Sequence, residues 1–179
     1  MSDFLRKIKL LDNITIELDS TKNDFIRGFQ KNVDESDLNL IDSFFEALTF
    51  SKNEYKGTVD NSVFKLRRRR KIFDNSRSFA VAEGTMKEKE GKLVLETDIK
   101  GFHSSMKFFY VFLFVIYLVF LTTIILTFLF NEEAEAPLFI FPIFFIHALL
   151  MLGIPYFIMR RSVSRMKYEL ERDFHFWTK

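Results

Sequence analysis

The chain contains no cysteine. That excludes disulfides and thiolate metal sites, and it suits a reducing compartment. Its three histidines, His103, His147 and His175, lie far apart and show no metal-ligand spacing. No GxGxxG or P-loop run occurs, and no Ser-His-Asp set is identifiable. The isolated glycines Gly57 and Gly84 read as bulges or close-packing points in strands. A net charge of +2 gives no reason to expect nucleic acid. The first ten residues are charged and have no apolar core, so no cleavable signal peptide is expected. No catalytic, cofactor-binding or metal residue is assigned, no cofactor is expected, and the chain is not expected to be an enzyme.

Phenylalanine is what the chain has in quantity. Half of its 24 Phe fall in two 23-residue runs, 108–130 and 137–159. Neither run carries Asp, Glu, Lys or Arg. A bilayer core of roughly 30 Å needs about 20 helical residues, so each run is long enough to cross it. Pro142, Gly153 and Pro155 in the second run would damage a soluble helix but are tolerated in membranes. Residues 131–136 suffice only for a tight connection, so the two helices are read as an antiparallel hairpin.

Orientation follows from Lys and Arg. The connection has three Glu and no Lys or Arg. Lys92, Lys100 and Lys107 precede the first run, and Arg160, Arg161, Arg165 and Lys167 follow the second. Both termini are expected in the cytoplasm, with loop 131–136 outside. His147 lies near the middle of the second run. An ionisable group at that depth is costly and marks an intramembrane polar site. The simplest account is a neutral imidazole bonded to Thr122 or Thr123. No GxxxG pair signals helix dimerisation.

Residues 1–104 alternate between strand and helix signals and read as a cytoplasmic α+β domain. Ile14, Ile16 and Leu18 alternate with polar residues, as in a half-buried strand. Ser20 or Thr21 caps a helix carrying Phe25, Ile26, Phe29 and Val33. Leu38, Ile41, Phe44, Phe45 and Leu48 repeat at helical spacing as a second helix. From Tyr55 onward the period is two, with turn signals at Asp60-Asn61, Asp74-Asn75 and around Gly91. These residues predict a four-stranded antiparallel meander whose third strand ends near Met86. The first span follows within a few residues, which keeps the domain close to the bilayer.

Residues 160–179 form the third part, an amphipathic helix. Val163, Met166, Leu170, Phe174 and Trp177 recur at spacings of three and four. Arg165, Glu169 and Arg172 take other faces, and Lys167 and Glu171 are spaced as an i,i+4 ion pair. One apolar stripe needs a surface. The N-terminal domain is the nearest, which makes the hairpin (105–159) an insertion before the domain's last helix. Lipid headgroups or a homodimeric seam are the other surfaces open to it.

Five adjacent cations, Arg67, Arg68, Arg69, Arg70 and Lys71, form the most conspicuous charge run. Near a membrane they could contact anionic lipid. If Phe64 and Leu66 face the core, however, strand alternation puts Arg68 and Arg70 on one face and Arg67 and Arg69 on the other. The run is then a split strand end paired with Asp and Glu, and a soluble anionic ligand is the third option.

The segments Tyr55-Lys56-Gly57-Thr58-Val59, Val63-Phe64-Lys65-Leu66-Arg67-Arg68 and Ala82-Glu83-Gly84 resemble a pattern in small bacterial two-pass membrane proteins. Those have a cytoplasmic α+β domain, a two-helix hairpin and a helical tail, and the resemblance covers residues 50–179. It implies the bacterial cytoplasmic (inner) membrane. The element order also resembles helix-grip and PH-like domains, some of which bind lipids. This chain departs from them by placing spans before its final helix, and no functional residue is carried over. The expectation is a membrane-anchored binding or regulatory module for a lipid or partner protein. The alternative is an oligomeric pore-forming or sensor-gated effector, with His147 and the Thr residues lining the pore.

Overall fold

The computed structural model describes residues 2–36, 38, 52–69, 79–102, 104–130 and 140–178. Chain order is α1 (Ser2–Lys7), β1 (Leu11–Leu18), α2 (Lys22–Asn32), β2 (Val33–Glu35), β3 (Tyr55–Val59), β4 (Val63–Arg68), β5 (Val81–Lys89), β6 (Lys92–Lys100), α3 (Ser104–Phe130) and α4 (Ile140–Trp177). The class is α+β, built on a mixed six-stranded sheet in the order β1-β6-β5-β4-β3-β2. The second helical pattern, from Ile41 to Leu48, and the Asp74-Asn75 turn lie outside the described residues, as do residues 131–139.

The meander forms because each turn has the chemistry its geometry requires. Asp60 N–H donates to the Val63 carbonyl at 2.8 Å, closing β3 onto β4. Glu90 and Gly91 both take positive φ, 54° and 78°, which a two-residue hairpin with right-handed strand twist demands. That turn is tighter than the sequence implies. β5 does not end near Met86 but runs to Lys89, which pairs with Lys92. β1 closes the far edge by pairing antiparallel with β6, Leu11 opposite Lys100 through Leu18 opposite Leu93.

Two further elements depart from the sequence reading. Val33 is not helical; it opens β2, a short strand parallel to β3 with Val33 opposite Tyr55. A β-branched residue gains from pleated packing there, and Asn32 closes the preceding helix by donating from Nδ2 to the Gly28 carbonyl at 2.8 Å. The charged N-terminus also forms a helical turn, α1, with Asp3 in its first turn and Arg6 and Lys7 in its last, as the helix dipole favours. α2 starts where expected: Thr21 accepts from Asp24 N–H at 3.2 Å and donates to the Asp24 carboxylate at 2.6 Å.

The chain divides into two compact units, residues 1–102 with 158–179, and residues 103–157. In the first unit one face of the sheet is sealed. Ile14, Ile16, Leu66, Leu93, Leu95 and Ile99 from the strands pack under Phe25 and Phe29 of α2. Val163, Met166, Leu170 and Phe174, from the end of α4, are buried in the same cluster, with Trp177 packed against it. Phe174 is its hub, edge-on to Phe25 at 5.3 Å and to Phe64 at 5.5 Å between ring centroids. Trp177 stands edge-on to Phe29 at 5.8 Å and Tyr55 at 5.6 Å. Gly28 permits this closure, since a Cβ there would lie 2.1 Å from the Trp177 carbonyl oxygen.

In the second unit, cross-helix contacts pair Tyr110 with Leu152, Tyr117 with His147 and Phe120 with Phe144. The opposed numbering makes the two helices antiparallel there. Both are long and apolar enough to cross a membrane, and their apolar windows are almost wholly unburied within the protein.

The single tryptophan, Trp177, reports this packing directly. Phe174→Ala should cost about 3–5 kcal/mol of stability, measured by urea unfolding in detergent followed through Trp177 emission. Phe176→Ala, two residues on and 64% exposed, should change it little. Equal effects would mean that the tail is not part of the core.

Candidate functional site

The basic run is where the sequence points first, and the structure divides it. Arg67 is buried, 5% exposed, on the face of the sheet opposite Leu66. Arg68 lies on the helix-covered face and pairs with Glu169 of α4, and its other amine reaches Glu54 at 3.2 Å. Arg69, beyond the strand, pairs with Asp34 of β2 at 2.7 Å. These three side chains are therefore not a continuous headgroup-binding patch: strand alternation and internal carboxylates take them apart. Arg70 and Lys71 lie outside the described residues.

The pairing of Arg68 belongs to a polar cluster that the sequence did not reveal. Tyr55 of β3 donates its hydroxyl to the Asp173 carboxylate at 2.6 Å. Glu169 receives Arg68 and also Arg165 at 2.8 Å, and Asp173 receives Arg172 at 2.8 Å. Glu169 and Asp173 are one helical turn apart on the flank of the apolar stripe, 15% and 14% exposed at their side chains. The sequence signal was this spacing, two carboxylates each immediately before a stripe residue. Glu169 lies off the stripe, as its spacing implies, but is turned to the sheet, whereas Lys167 does not bond Glu171. It reaches across to Asp12 of β1 at 3.0 Å, because its helix face is turned to the sheet. The cluster clamps the tail to the sheet by charge-assisted bonds. Burial, then the hydrogen bond and the charge of Asp173, raise the Tyr55 hydroxyl well above its ordinary pKa, so it stays protonated and is no general base.

The other face of the sheet carries polar rows. Lys65 meets Glu83 at 2.9 Å, Lys87 meets Glu96 at 2.7 Å, and Asn13 donates to Asp98 at 2.9 Å. Burial works to raise the Glu83 pKa, but bonds from Lys100 and Lys65 outweigh it and hold that carboxyl below the usual range. A shallow depression of about 610 Å³ on this face is lined by Asn13, Lys65, Glu83, Glu96, Asp98 and Lys100 among others. Among the described residues no group of three or more His, Cys, Asp or Glu could hold a metal ion.

In the apolar unit, His147 does not bond Thr122 or Thr123. Both hydroxyls donate to their own helix, Thr122 to Leu118 O at 2.8 Å and Thr123 to Val119 O at 2.9 Å, the i−4 carbonyls always within reach of a helical Thr. The partner of His147 is the Tyr117 hydroxyl, 2.9 Å from Nδ1. The imidazole is otherwise exposed on the outside of the helix.

No family model, curated protein or solved structure matches this chain.

The raised Tyr55 pKa sets a pH signature. The folded state holds a proton that the unfolded state loses above about pH 10. The contribution is complete below that pH and is lost as pH rises further, by about 1.4 kcal/mol per unit. Tyr55→Phe should lower stability at neutral pH by roughly 1–2 kcal/mol, and its alkaline limb should fall less steeply by one proton. Parallel limbs for both proteins would exclude the Tyr55–Asp173 bond as the source.

Proposed function

We propose that this is a two-pass integral membrane protein whose α+β unit is a non-enzymatic binding or regulatory module on the cytoplasmic side. The carrying observation is the exposure of α3 and the first half of α4. Leu118, Phe112, Leu149 and Phe145 are among many large apolar side chains left uncovered there, while the α+β unit has a complete core of its own. Leaving such a side chain in water forgoes roughly 1.5–3 kcal/mol each. A bilayer removes that penalty for all of them at once, and all backbone groups of a helix are satisfied internally. The Lys and Arg asymmetry around the two runs supports cytoplasmic termini. The partner, lipid or protein, engages the α+β unit, whose polar sheet face remains open among the described residues.

The natural absence of cysteine makes the topology simple to test. In inverted vesicles and intact cells, a Cys at residue 133 should be labelled only from outside by an impermeant maleimide. A Cys replacing exposed Lys89 should be labelled only from the cytoplasmic side, and one replacing Leu118 from neither. Labelling of the Leu118 position from water would overturn the reading.

One observation favours a second reading, an oligomeric pore or effector. His147 is an exposed residue of the apolar helix whose Nδ1 meets the Tyr117 hydroxyl, and hydrocarbon offers nothing to the rest of its ring. If copies assemble around it, overexpression should cause dye leakage that His147→Leu abolishes. Leakage that survives this change, or its absence in the native protein, would rule the pore out.

A further inference from the structure

We propose that Arg6 and Lys9, supported by Arg160 and Arg161, receive the phosphate of an anionic phospholipid headgroup. The inference rests on the two-pass reading above and places the lipid contact away from the basic run at Arg67.

The site is a cavity of about 480 Å³ within the α+β unit. Arg6 lines it from the last turn of α1, Lys9 from the turn that follows, Asn13 from β1, and Val163 and Ser164 from α4. Its position follows from local backbone chemistry. α1 ends at Lys7, and two residues on Lys9 takes the left-handed conformation with φ 58°. A residue with a Cβ adopts it only when its surroundings impose it. Here the next residue imposes it. Leu10 is buried, its N–H donates to Leu5 O at 2.9 Å, and its carbonyl accepts from Gly101 N–H at 2.9 Å. Lys9 N–H in turn donates to Arg6 O at 3.0 Å. The turn therefore presents Arg6 and Lys9 together.

This end of the unit is also where the chain leaves it. The unit's limits are residues 102 and 158. A Cβ on Gly101 would stand 2.7 Å from Val163 and 3.2 Å from Met159 O, so both departures lie beside Leu10. Arg160 and Arg161 lie less than one helical turn before Val163. Both connections to residues 103–157 therefore leave the unit at this end, beside Arg160 and Arg161.

Charge identifies the ligand. Arg6, Lys7, Lys9 and Arg161 are exposed, and among the described residues neither they nor Arg160 makes an ion pair. The carboxylate in the cavity wall, Asp12, is taken by Lys167 at 3.0 Å, and Asp3 stands a turn earlier on α1. The balance is positive. Phe4, also exposed, sits on the same short helix. An apolar side chain beside cations suits the headgroup–acyl boundary and has no use in binding a free anion.

The test is native mass spectrometry of the full chain in neutral detergent, titrated with phosphatidylglycerol, phosphatidylcholine or inorganic phosphate. Phosphatidylglycerol should bind in preference to phosphatidylcholine. Arg6→Gln with Lys9→Gln should weaken it by roughly 25-fold, about fivefold per cation. Arg27→Gln with Lys31→Gln, exposed on α2, should leave it unchanged, and unaltered Trp177 emission shows that both variants fold. Equal binding of the two lipids, equal losses in both double variants, or displacement by inorganic phosphate would overturn the site. Cysteine labelling at position 118 in bilayers separates the two failures. Protection there without lipid preference sinks only this proposal, whereas labelling there sinks the two-pass reading beneath it.

Discussion

The α+β unit depends on one long-range contact, the burial of the α4 stripe against the sheet. A six-stranded sheet with one apolar face cannot stand in water, and α2 supplies Phe25 and Phe29, with Ile26 beside them, to cover it. Among the described residues Val163, Met166, Leu170 and Phe174, with Trp177 against them, extend that cover. Without them Leu66, Leu95 and Ile99 would lose much of their shield, and the aromatic cluster its hub. The segments that make this contact are separated in sequence by the whole apolar unit. The unit is therefore closed only after residues 103–157 have been traversed, and its stability is coupled to an uninterrupted α4. Pro155 lies inside that helix, costing one backbone bond just before the tail begins.

Polar chemistry gives that contact its register. Apolar packing alone tolerates sliding of a helix over a sheet. Tyr55 to Asp173, Arg68 to Glu169 and Lys167 to Asp12 do not, because each bond has a fixed length and direction. They bracket the stripe from both sides of the sheet, β3 and β4 on one and β1 on the other. This also accounts for the basic run. Charges that look like a binding patch in one dimension are drawn inward when a strand end meets acidic side chains from a helix and from β2.

Much of the fold was legible in local pattern. The alternation of Ile14, Ile16 and Leu18, the period-two segments from Tyr55 to Ile99, and the Thr21 cap all report short-range geometry, which a sequence carries directly. Val33 shows where that fails. Its position extends the helical spacing of Phe25 and Phe29, yet pairing with Tyr55 gains more than one further helical residue would. The Thr122 and Thr123 assignment failed for a related reason. Each hydroxyl had a nearer acceptor in its own helix, and only packing between helices could bring Tyr117 to His147.

The sequence by itself determined the α+β class, the two apolar runs, the amphipathic stripe and the absence of thiol chemistry. Those properties are set by composition and by periods of two and 3.6, which need no knowledge of distant contacts. Only the tertiary structure decided what the stripe covers, which carboxylates consume Arg68 and Arg69, and that Arg6 and Lys9 share a cavity with Val163. Those depend on which surfaces meet at long range, from 35 residues for Arg69 and Asp34 to 101 for Arg68 and Glu169, and such pairing is fixed by packing and charge complementarity in three dimensions.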